Sequence, residues 1–201
     1  MNDQHLFRWV FIAIFVITMS ISGYFRRKAR QSGGVIRRTQ EGWRSLMLRV
    51  LFAAPLYVSV LVYMINPRWM LWSMLSLPAW LRWLAGLIGL GMVPIIYWIM
   101  NSIGNNISET FLTKEQHVLV THGPYRWVRH PLYAVATGIF IALSLVAANW
   151  FMLAMVVLLM FVIAAVVIPR EEAELILKFG DTYREYQQRT GRLVPRLSLH
   201  H

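Results

Sequence analysis

The sequence contains no cysteine. That excludes disulfides, thiolate metal sites and a cysteine nucleophile. Histidine is sparse, and its six copies show no metal-ligand spacing. Acidic residues are also few: nine Asp and Glu stand against twenty Lys and Arg, a formal charge of +11. No internal repeat of 20–50 residues and no low-complexity tract is present, so a solenoid or a disordered array is excluded.

What the chain has in abundance is apolar sequence. Hydrophobic residues make up 57% of its 201 positions, with nine tryptophans. A soluble domain of this size rarely carries so much. In a soluble protein the charge would suggest nucleic acid. Here the basic residues lie in short segments between apolar stretches, which points to the anionic leaflet of a membrane and excludes a nucleic-acid partner.

About twenty apolar residues cross the hydrocarbon core of a bilayer. The sequence predicts five such spans, near 7–25, 46–65, 83–100, 132–147 and 150–168. The expected fold class is therefore an all-α integral membrane protein with about five transmembrane helices and a cytoplasmic C-terminal helical tail. Residues 1–100 form an N-terminal unit of three spans; residues 101–201 hold a polar loop, a transmembrane hairpin and the tail. Lys and Arg concentrate in the 26–44 linker, the 101–130 loop and the tail after position 169. The positive-inside rule then places the N-terminus outside and the C-terminus in the cytoplasm, as in a multi-pass protein of a bacterial inner membrane. Only Ala148 and Asn149 separate the last two spans, so the segment before the fourth span and the segment after the fifth meet at one membrane face.

Those two segments carry unusual chemistry. The first offers His117, Tyr125, His130 and Tyr133; the second offers Glu171, Glu172 and Glu174; Arg126, Arg129 and Arg170 flank them. A carboxylate beside aromatic rings suits a cation, and an Arg/His cluster suits a carboxylate or phosphate. A ligand bearing both charges would satisfy both. Plainer readings exist. Arg126 and Arg129 beside Trp127 are also what interface anchors look like, and acids at a helix start complement its dipole. Glu171 and Glu172, being adjacent, should point to different sides of a helix, so that at most one faces a pocket.

The spacing of these residues resembles a known family. "HVLVTHGPYRWVRHPLY" (117–133), two apolar spans and "EEAELILKFGDTYREYQQRTGRLVPR" (171–196) are similar to the isoprenylcysteine carboxyl methyltransferases, relatives of the membrane phospholipid methyltransferases. The pattern G-x-Y-x-x-x-R-H-P-x-Y is met by Gly123, Tyr125, Arg129, His130, Pro131 and Tyr133; E-E and F-G-x-x-Y-x-x-Y are met by Glu171, Glu172, Phe179, Gly180, Tyr183 and Tyr186. The resemblance implies S-adenosyl-L-methionine as cofactor, contacted by His117, Val118, Leu119, Val120, Tyr125, His130, Tyr133 and Glu171. It implies a catalytic group of His130, Arg129 and Arg170. The position of a further family arginine is here Val167, and Arg170, directly before Glu171, is the candidate to take its place. The glycine-rich loop of soluble nucleotide-binding enzymes is absent, in keeping with a different, all-helical cofactor site.

The implied function is methylation of a lipophilic acceptor, with membrane lipids as partners. Its two alternatives are N- or S-methylation of a phospholipid headgroup or other small molecule, and a non-catalytic membrane assembly or lipid-binding role. A lipophilic acceptor is expected to approach sideways between the third span and the hairpin, where Gly86, Gly89 and Gly91 leave room.

Overall fold

The structure, a computed structural model, describes residues 2–31, 43–104 and 118–196. Every regular element among them is helical: α1 (Asn2–Gln31), α2 (Trp43–Ile65), α3 (Ala79–Ile103), α4 (Pro131–Val146), α5 (Trp150–Val162), α6 (Ile168–Phe179) and α7 (Asp181–Arg189). A 3-10 turn, Pro67–Ser73, joins α2 to α3, and another, Gly123–Arg126, precedes α4. A wide π turn, Ile163–Val167, links α5 to α6 without a break in the helical path.

All five predicted apolar stretches are helices, and three have the length and composition to cross a membrane: Asp3–Gln31, Ala79–Ile103 and Trp150–Phe179. Pro131–Val146 is a shorter apolar helix, and Val50–Ile65 is the apolar part of the 23-residue α2. At 1.5 Å per residue α4 spans only about 24 Å, short of a ~30 Å hydrocarbon core. Pro55 and Pro94 lie inside α2 and α3, which continue through them.

The apolar core runs from Phe7, Phe11 and Ile14 on α1, through Leu56 and Val60 on α2, to Ile139 and Leu143 on α4 and Met152 and Val156 on α5. Helix α3 lies between α1 and α4. Its glycines make that approach possible, and they correct the expected route for an acceptor. A methyl placed on Gly89 would lie 3.2 Å from Ala142 Cβ and 3.3 Å from Ile14 Cδ1; one on Gly86 would lie 3.2 Å from Val10 Cγ1. The room these glycines leave is thus taken up by α1 and α4. Gly91 alone faces open space.

The α4–α5 turn is fixed by polar contacts. Asn149 caps α5 by accepting from the Met152 N–H at 2.9 Å, and its amide donates to Ser73 Oγ at 2.7 Å. Buried Arg82 donates Nε and Nη2 to the Val146 carbonyl at 2.9 and 2.8 Å, satisfying an orphan carbonyl at the α4 C-terminus. Its guanidinium stacks 3.8 Å from the Phe7 ring centroid.

Loss of the Asn149 side chain removes a cap and leaves a buried hydroxyl without its donor. We predict that Asn149→Ala destabilises the detergent-solubilised protein by about 2 kcal/mol. A lowered unfolding temperature checks it; an unchanged one would show that the turn does not rely on this cap.

Candidate active site

The site is assembled where the chain enters α4 and leaves α5. Pro131 occupies the first turn of α4, where its missing N–H and fixed φ are suited, and so His130 becomes the N-terminal cap residue. The backbone just before it pairs with the tail: Arg129 N–H donates to Gly191 O at 2.8 Å and His130 N–H to Arg192 O at 3.0 Å. Glycine is required at 191, since a β-carbon there would collide with the Val194 carbonyl. The Tyr186 hydroxyl closes the other side by donating to the Tyr125 carbonyl.

Glu172 sits at the centre. It accepts from Arg129 Nε at 2.8 Å and Arg192 Nη2 at 3.0 Å, and its Oε1 lies 3.3 Å from His130 Nε2. Arg129 Nη1 also donates to the Gln187 carbonyl at 3.1 Å and to the Thr190 carbonyl, which satisfies the C-terminal end of α7. Glu171 is arranged differently. Its Oε2 accepts from the Tyr133 hydroxyl at 3.2 Å and lies 3.7 Å from His130 Nδ1. The His130 and Tyr133 rings stack with centroids 5.8 Å apart. His130 therefore lies between two consecutive carboxylates, one at each ring nitrogen. Both glutamates reach the site, contrary to the expectation of one, because His130 fills the gap between their directions. Exposure separates their roles: the Glu172 side chain is 6% exposed and the Glu171 side chain 28%.

Tyr125, Tyr183 and Tyr186 remain neutral hydroxyls at physiological pH. Burial, then the Glu171 charge, raises Tyr125; burial, then the Glu172 charge, raises Tyr183; burial pushes Tyr186 up to about 12. None supplies a phenolate base. The Tyr183 hydroxyl is fully buried and has no hydrogen-bond partner among the described residues.

Of the residues singled out from the sequence, His130, Arg129, Tyr133 and Glu171 come together, and the Tyr125 ring is buried against the same face. Arg129 is committed to Glu172 and to the α7 carbonyls. Arg170 is exposed, and Val167 is buried and apolar. Arg126 lies over the Trp127 ring at 4.0 Å, the arrangement of an interface anchor. Leu119 packs against Leu175, Tyr183 and Tyr186; Val120 is half-buried; Val118 is 67% exposed. His117 lies outside the described residues. Two contributors were not marked as site residues from the sequence: Glu172, whose signal was the second acid of the E-E pair, and Arg192, which had no local signal. Among the described residues no cluster of His, Asp and Glu has the form of a metal site.

The phospholipid methyltransferase family profile matches residues 79–182, about half of the chain. A protein-S-isoprenylcysteine O-methyltransferase of Tribolium castaneum is 35% identical over 79 residues, 39% of this chain and 28% of that protein. Methanethiol S-methyltransferase 1 of Bradyrhizobium diazoefficiens is 37% identical over 71 residues, 35% of this chain and 24% of that protein. The match thus spans about a quarter of the length of either relative. The solved structure of a eukaryotic intramembrane Ras methyltransferase, an isoprenylcysteine carboxyl methyltransferase, superposes with a TM-score of 0.55 at 20% identity. It covers 92% of this chain and 67% of that one, a likeness of fold.

The geometry makes two sharp predictions. Arg129→Ala and Glu172→Ala should each destabilise the protein by about 3 kcal/mol, and the double variant by less than the sum, with a coupling of roughly 1–3 kcal/mol. Simple additivity in thermal unfolding would show the ion pair to be inert. Tyr183→Phe, by contrast, should leave stability unchanged or raise it by up to about 1 kcal/mol, because it removes a buried hydroxyl that has no partner. A loss of more than that would reveal a hydrogen bond.

Proposed function

The chain belongs to the phospholipid methyltransferase family, and on that premise we propose that it is an integral-membrane, S-adenosylmethionine-dependent methyltransferase acting on a lipophilic acceptor, of the isoprenylcysteine carboxyl O-methyltransferase type. The observation that carries the reading is the division of labour between the two glutamates. Glu172 is spent on Arg129, Arg192 and His130, whereas Glu171 keeps access to solvent beside Tyr133 and His130.

The donor set fits the cofactor. Glu171 would take its ammonium or ribose hydroxyls, and the Tyr125 and Tyr133 rings would face its sulfonium. Val118, Leu119 and Val120 would wall the adenine, with His130 beside the methionine carboxylate. When bound, the cofactor supplies a methyl group on a cationic sulfur that is already a good leaving group. The chain's own task is to align the acceptor and exclude water. A carboxylate acceptor needs no base. For an amine or thiol, Glu171 or the His130 Nδ1 would accept the proton, with Glu172 orienting the ring at Nε2. Arg129 acts as a positioning residue through Glu172. Residues 101–201 would form this methyltransferase core, with the site on the cytoplasmic side of a five-span protein whose N-terminus lies outside.

One feature favours a second reading. With apolar Val167 buried and Arg170 exposed, a prenylcysteine carboxylate lacks a dedicated arginine near the glutamates. Methylation of an amine headgroup or a thiol would not need one.

Calorimetric titration of the detergent-purified protein should detect S-adenosylmethionine binding, and Glu171→Ala should weaken it about tenfold, the loss of one charge-assisted hydrogen bond of roughly 1.4 kcal/mol. Absence of binding by the wild type would end the enzymatic reading in favour of a non-catalytic membrane protein. With radiolabelled cofactor, base-labile product on prenylcysteine analogues would identify carboxyl methylation. Base-stable product on lipid extracts would identify N- or S-methylation.

A further inference from the structure

A cavity of about 480 Å³ lies at the end of the bundle away from His130. It is bounded by the start of α1, the end of α2, the 3-10 turn and the α4–α5 turn, and is separated from His130 by the length of α4, about 24 Å. It takes no part in the proposed methyl transfer. Its size is that of a small-molecule site.

Its walls carry one sign of charge. Arg8, Arg68 and His5 line it, and no acidic residue does. Tyr63 also lines it; the ring is buried, and the hydroxyl, close enough to Arg82 to accept from it, has no acceptor for its own proton among the described residues. A buried hydroxyl whose proton has no acceptor is unfavourable unless a ligand completes it. Helix ends do not cancel the positive potential. The C-termini of α2 and α4 bring about −0.5 charge each, and the N-termini of α1 and α5 bring about +0.5 each. The α2 end is moreover answered by Arg8, which donates to the Met64 and Ile65 carbonyls at 2.6–2.9 Å, and the α4 end by Arg82. The helix ends sum to about zero, so the guanidinium charges of Arg8 and Arg68 face no carboxylate in the lining.

Part of the wall is apolar, formed by Met70, Leu71 and Met74, and Gln4, Asn66 and Asn149 add neutral polar groups. Trp69 and Trp72, both 60% exposed, stand beside it on the same turn, as tryptophans do at headgroup depth. An anion-binding end joined to an apolar wall at the membrane interface matches an anionic amphiphile. We propose that this cavity binds the phosphate headgroup of an anionic phospholipid, with Arg68, Arg8 and the Tyr63 hydroxyl as donors and an acyl chain along the methionine wall.

The test uses the full chain in mixed micelles. Phosphatidylglycerol should raise the unfolding temperature. Phosphatidylcholine at the same mole fraction, and inorganic phosphate at the same concentration, should not. Arg68→Ala and Tyr63→Phe should each remove roughly half of the phosphatidylglycerol shift or more, while S-adenosylmethionine affinity stays at the wild-type value. Three results would overturn the proposal. Equal shifts with phosphatidylcholine would mean a general lipid effect. Equal shifts with inorganic phosphate would mean a free-anion site. A phosphatidylglycerol shift that survives both substitutions would belong to the basic 26–44 segment.

Discussion

One buried carboxylate holds the polar end of this molecule together. Glu172 ties the start of α4, through Arg129 and His130, to the tail, through Arg192, while it is itself carried on α6. Three stretches far apart in sequence thus share one acceptor. A buried carboxylate left alone would be strongly unfavourable. Two guanidinium partners and a histidine ring offset that, and the arrangement admits one relative placement of the three stretches. The tail is set in place by that placement together with the backbone pairing of Arg129 and His130 to Gly191 and Arg192.

The neighbouring glutamate takes a different part because its neighbour is occupied. Glu171 lies one residue along the same helix, on the more exposed side of His130. The histidine ring is held from both sides, so its orientation is set before any ligand arrives. Such preorganisation is what a displacement reaction asks of a protein, since alignment supplies most of the help it needs. The opposite end of the bundle is built on other terms. There arginines answer helix C-termini and asparagine caps a turn, and the chemistry is that of anions and the membrane interface.

Hydropathy made the fold legible. The five apolar stretches and the tight turn between the last two follow from residue composition and length alone, and they bring His130 near Glu171 without any knowledge of packing. Crossing length was less legible, since Pro131–Val146 ends before a full span. The site was legible where its residues are close in sequence to a helix boundary: His130 before Pro131, and Glu171 just past the apolar run. It was not legible where a side chain travels. Nothing local says that Arg129 ends on the carbonyls of Gln187 and Thr190, some sixty positions away, or that Arg192 returns to Glu172. The glycines of α3 were misread for a related reason. A small residue marks a place where something comes close, and whether that is a substrate or Ile14 and Ala142 is decided by helices elsewhere in the chain.

The wide turn at Ile163–Val167 makes the length of its span a form of stored slack. A π turn holds one residue more than the α turn it replaces. The span from Trp150 to Val167 can therefore shed a single residue by tightening to regular α geometry, and both carboxylates keep their azimuth toward His130. Shedding a second swings them about 100° around the axis and turns the acids away from the ring. Hydropathy would be blind to either deletion, yet only the first leaves the two acids facing the ring.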